Sequence, residues 1–166
     1  YVAPMYSRYK WDGTITNNVA YNLTRALYGK RIRQPIGGDF GLSKNTIRTY
    51  LTQNVWMTDV ARFGIDIWMT TQAIASGCRV CQANLGVKVH DPKDPGVALG
   101  PMFRQVVWTL FTLMEQHALV WKDVRGSEPI ESFGSTEFPE PEPINVNQEL
   151  LIQNFKLAFQ HFGALW

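Results

Sequence analysis

At 166 residues, with 45% hydrophobic residues and a formal net charge of +2, the chain is long enough for one domain with a real core and too weakly charged to mark a nucleic-acid binder. No run of about 18 uncharged apolar residues occurs, and no basic or apolar leader opens the chain, which excludes a membrane helix and reads as soluble and cytoplasmic. The lone pair Cys78 and Cys81 lacks the second pair that a four-cysteine zinc site needs, so both read as reduced, half-buried thiols on a strand.

Thr14 or Thr16 can cap a helix that runs to about Tyr28, with Val19, Leu23 and Leu27 on one face and Gly29 as its stop. A loop rich in basic residues and glycine follows, "RQPIGGDFGLS", and Ser43 caps a second helix in which Ile47 and Leu51 share a face. A third helix covers Gly64 to Ser76, carrying Ile65, Met69 and Ala73, and Gly77 ends it in a left-handed cap. From Arg79 to Val89 the β-branched and apolar content predicts one or two strands broken at Gly86, and the breakers "HDPKDPG" form a loop. Pro101 stands where a helix begins, and Phe103, Val106, Val107, Leu110 and Met114 trace its apolar stripe. His117 and His161, on amphipathic helices, read as surface residues.

Residues 123–144 change composition to "SEPIESFGSTEFPEPEP", whose prolines and like-charged glutamates build no core and predict an extended linker. Asn145 to Phe162 then forms a helix whose Leu151, Phe155 and Phe159 or Phe162 must dock on something. The expected organisation is therefore a domain over 1–122, a linker over 123–144 and a docking helix over 145–166. Mostly helices with two or three strands make an α/β fold with an incomplete sheet. That sheet, and a chain opening at Tyr1 without methionine, point to an upstream half in the intact protein.

Three stretches hold candidate chemistry. Gly37 and Gly38 can turn backbone N–H groups into a nest for phosphate or carboxylate, with Arg31 and Arg33 adding charge, or can simply make a tight turn. Asp66 opens an otherwise apolar helix, as a cap favoured by the helix dipole or as a reactive carboxylate. His90, at a strand end beside Asp91 and Asp94, is a metal ligand or a polar loop residue.

Taken in order, "RQPIGGDFG", "RFGIDIWM" and "NLGVKVH" give the chain a resemblance, over about Tyr6 to Met114, to the retaining GT-A glycosyltransferases of the glucosyl-3-phosphoglycerate and mannosylglycerate synthase type, related to the family-2-like group. The resemblance implies the helix-rich C-terminal part of a GT-A, Rossmann-like fold. It implies that Pro35, Ile36, Gly37 and Gly38 wall the acceptor and donor sugar, with Asp39 in the family's acidic position and Arg33 as a possible anion holder. It implies Asp66 as the acceptor-positioning residue or base, and His90 as ligand of a Mg2+ or Mn2+ ion that neutralises the departing diphosphate. The implied reaction moves a hexose from a nucleotide sugar to a small hydroxy acid such as glycerate or 3-phosphoglycerate, in a protein expected to form a homodimer. The family's D-x-D motif is absent between Tyr1 and Trp166, so the chain alone is expected to be inactive. A non-catalytic half-domain used for oligomerisation or partner binding is the competing class.

Overall fold

The computed structural model describes residues 1–89, 95–135 and 137–165, and of residues 95–98 the backbone alone. Three parallel strands, in the order β1 (Val2–Ser7), β2 (Cys81–Val87) and β3 (Glu131–Gly134), make one small open sheet. The described α-helices are α1 (Tyr21–Tyr28), α2 (Lys44–Leu51), α3 (Ile65–Ala75), α4 (Pro95–Gln116), α5 (Ala118–Trp121) and α6 (Gln148–Phe162). The chain is therefore α/β, with helices supplying both connections between parallel strands.

Local chemistry sets the helix ends. A π-helical turn over Thr16–Ala20 runs into α1, which stops where Gly29 takes a left-handed φ of 67°. Ser43 caps α2 by accepting the Thr46 N–H at 3.2 Å, and Gly77 takes φ 71° after α3. Within α2 the buried face is Thr46 and Tyr50, while Ile47 and Leu51 share the exposed side: the tyrosine reaches inward because its hydroxyl donates to Met69 O at 2.5 Å.

Four expectations are corrected. β1 was not foreseen, because Pro4 breaks the apolar run; it holds the strand by packing, buried beside Ala3. β2 continues through Gly86 instead of breaking there, and its ladder with β1 shifts register between Met5 and Ser7. α4 starts at Pro95, which places Pro101 inside the helix instead of at its start. The segment expected as an extended linker supplies β3, whose residues stay exposed at the sheet edge. Backbone bonds from Glu128 N to Gly29 O at 2.9 Å and from Arg31 N to Glu128 O at 3.0 Å pin the approach to that strand.

The core centres on α3. Its Ile67 packs with Ile15, Ala20, Val106 and Leu110, its Ala73 with Tyr1, Ala3 and Ile32, and its Trp68 with Tyr50, Val60 and Leu113. Buried on several faces, α3 also encloses Thr70, whose Oγ1 meets Tyr1 Oη and Pro35 O, each at 2.7 Å. Where α3 begins, α4 approaches so closely that a Cβ on Gly64 would stand 2.2 Å from Thr109 Oγ1 and 2.8 Å from Asp59 O. Gly64→Ala should therefore cost about 1–3 kcal/mol of unfolding free energy in a urea titration, through overpacking alone, since its backbone suits alanine.

α6 begins at Asn147, whose side chain accepts the Leu150 N–H at 3.0 Å. It touches α4, yet none of its residues is buried, and Phe155 and Phe159 are 70% and 69% exposed. His161 is exposed with it, whereas His117 is half-buried at the α4–α5 junction with Nε2 enclosed, and burial lowers its pKa. Cys78 and Cys81 are free thiols of intermediate burial, as expected, but only Cys81 lies on a strand, Cys78 preceding β2. No helix among the described residues is long and apolar enough to cross a membrane.

Candidate functional site

In a parallel sheet, ligands bind beyond the carboxyl ends of the strands, where loops and helix N-termini converge. Here that edge holds an open cavity of about 410 Å³. Arg8 follows β1, Lys88 follows β2, Asp66 lies in the first turn of α3, and the 36–38 backbone closes the side between them. Trp11, Phe63 and Met102 supply apolar wall. A smaller hollow of about 210 Å³ adjoins it, sharing Arg8, Asp12 and Lys88 and bounded by Pro141 to Ile144.

The two glycines exclude side chains for different reasons. A Cβ on Gly37 would lie 2.3 Å from Pro4 Cγ, so the wall is pressed against β1. Gly38 has open space, the nearest atom to a Cβ being Lys88 Nζ at 3.8 Å, but its φ of 93° disfavours other residues. Its amide is near enough to Asp66 to favour the ionised carboxylate slightly.

Asp66 is the one titrating group in this cavity with a markedly raised pKa. Desolvation pushes it from its ordinary 3.8 up to about 6, with Lys88 and the Gly38 amide pulling the other way. A carboxylate so placed can take a proton from a hydroxyl near neutral pH. Lys88 is held in turn: Nζ sits 4.4 Å from the Tyr6 ring centroid and bonds Asp39 Oδ2 at 2.5 Å, and Tyr6 Oη donates to the same oxygen at 2.8 Å. Lys88 and Tyr6 keep the Asp39 carboxyl below its ordinary range. Arg8 pairs with Asp12 at 3.6 Å, and its Nε is enclosed with no partner among the described residues.

No family model matches this chain, and no curated protein matches it. The site is therefore read from its own residues. Of those expected from sequence, Ile36, Gly37, Gly38 and Asp66 line one cavity. Pro35 is buried behind them, Asp39 reaches the cavity only through Lys88, and Arg33 points elsewhere, donating to Asn17 Oδ1 at 2.8 Å and stacking over Tyr21. Arg33 is exposed, its guanidinium held by the side-chain amide of Asn17 in the π-helical turn and by the ring of Tyr21 in α1.

His90 lies outside the described residues, two positions beyond Lys88. Among the described residues no three His, Cys, Asp or Glu side chains gather to hold a metal ion. Of the two cavity carboxylates, Asp12 is already engaged by Arg8 and the Gly13 N–H. Sequence reasoning missed Arg8, Trp11, Asp12 and Lys88. Their signal was position just past a strand, and it was unreadable for Arg8 while β1 went unrecognised.

Proposed function

We propose that the chain is the acceptor-side part of a retaining, GT-A-type glycosyltransferase that moves a hexose from a nucleotide sugar to a small hydroxy acid such as glycerate or 3-phosphoglycerate. The supporting observation is a single cavity bounded by the 36–38 backbone, a carboxylate titrating near pH 6 and two cations, Arg8 and Lys88. Asp66 orients the acceptor hydroxyl and takes its proton, while Arg8 and Lys88 hold the acceptor's anionic group. Trp11 and Phe63 pack against the ligand and exclude water. A Mg2+ or Mn2+ ion belongs to this proposal through His90, and none of these steps runs through it.

The test is a panel of nucleotide sugars offered to the intact protein with glycerate or 3-phosphoglycerate and either divalent ion, the product read by mass. Transfer that a chelator abolishes is the expected result. An intact protein that neither binds a nucleoside diphosphate nor forms any glycoside overturns the proposal. The uncovered aromatic residues of α6 favour a second reading, a module for self-association or partner binding.

A further inference from the structure

Away from the cavity, two arginines meet one serine where the end of α1 faces the segment leading to β3, and a third arginine lies beside them. Arg25 Nε donates to Ser127 Oγ at 3.0 Å, Arg31 Nε donates to the same oxygen at 3.2 Å, and Arg31 Nη2 donates to Ser127 O at 3.0 Å. Arg125 shares with Arg25 a hollow of about 460 Å³, and its Nη1 donates to Lys122 O at 2.7 Å. The neighbouring carboxylate, Glu128, is taken by Lys30. Among the described residues none of the three guanidinium groups has an ion-pair partner. The backbone N–H groups of Gly126 and Ser127 likewise donate to no protein group among those residues.

Three cations in one corner repel one another, and a neutral hydroxyl oxygen answers two of them only weakly. Guanidinium forks and successive free backbone amides are both suited to a tetrahedral, multiply charged oxyanion. We propose that Arg25, Arg31, Arg125 and the 126–127 backbone form a phosphate-binding site, occupied by inorganic phosphate or by the terminal phosphate of a small phosphomonoester. The bound anion neutralises the corner and clamps residues 125–128 onto the end of α1. That clamp holds the β3 edge, because Glu128 pairs with the 29–31 backbone immediately before the strand.

The experiment follows thermal unfolding of the intact protein at fixed pH and ionic strength, with chloride exchanged for inorganic phosphate or for methyl phosphate. Binding stabilises by mass action, so Tm should rise with the logarithm of the anion concentration, by about 3–6 °C at ten times the dissociation constant. Arg25→Gln/Arg31→Gln should lose that rise, and Arg125→Gln should weaken it. Phosphorus NMR line broadening reads binding directly should the double variant fold poorly. A rise with both anions assigns a phosphomonoester site, and a rise with phosphate alone assigns the free anion. No such rise, or an equal rise in wild type and in the arginine variants, overturns the site.

Discussion

In the intact protein, Asp66→Asn is expected to remove the proposed transferase activity and raise stability together. Loss of a general base costs about 10²–10⁴-fold in turnover, and the loss should fall on kcat because the isosteric amide leaves the cavity shape unchanged. The stability gain follows from the raised pKa. Below pH 3.8 both folded and unfolded chains carry a protonated Asp66, and no difference exists. Between 3.8 and about 6 the unfolded chain releases its proton while the folded chain keeps it, so stability falls with rising pH, and above 6 the cost is constant. That interval corresponds to about 3 kcal/mol at most. The asparagine variant should therefore unfold later than wild type at pH 8, and the two should converge near pH 3.5. Wild-type turnover should rise through about pH 6, where the base loses its proton. A variant with unchanged turnover sinks the catalytic role; one that is less stable at pH 8 sinks the desolvation account.

Gly37→Ala is expected to damage the fold before it touches ligand binding. Its added Cβ would meet the Pro4 ring at 2.3 Å, and Pro4 is fully buried on β1 with no free rotation to yield. Overpacking of this kind costs about 1–3 kcal/mol, and the larger valine more. Pro4→Ala removes the ring atoms in the way, so Pro4→Ala/Gly37→Ala should recover much of the loss in a double-mutant cycle followed by denaturant unfolding. Additive losses would refute the contact. Gly38 differs, because a Cβ there has room and its φ of 93° is the constraint. The cavity wall thus depends on one glycine for room and on the next for conformation.

Much of the helical architecture was legible because its signals are local. Ser43, Gly29 and Gly77 set helix ends through bonds within one turn, and the glycine loop and Asp66 stood out as polar or flexible residues among apolar ones. The sheet was not legible in the same way. β1 carries a proline, and β3 sits in a segment whose composition reads as linker, so each is a strand only because β2 lies beside it. Arg33 misled because a basic residue next to a glycine loop attracts an anion-binding reading, whereas its partners come from α1 and the turn before it.

By itself, then, the sequence determined most of the helices, the ends set by Ser43, Gly29 and Gly77, and the stretches around the 36–38 loop and Asp66, since those depend on neighbours a few residues apart; neither Thr14 nor Thr16 caps the first helix, and α4 begins before Pro101. The tertiary structure alone decided that Gly37 faces Pro4, that Lys88 stands over Tyr6, and that Asp66 is desolvated enough to titrate near 6. Those outcomes depend on residues 8, 36–38, 66, 88 and 102 meeting at one strand edge. Burial and charge are set by what surrounds a side chain in space, and spacing along the chain does not encode that.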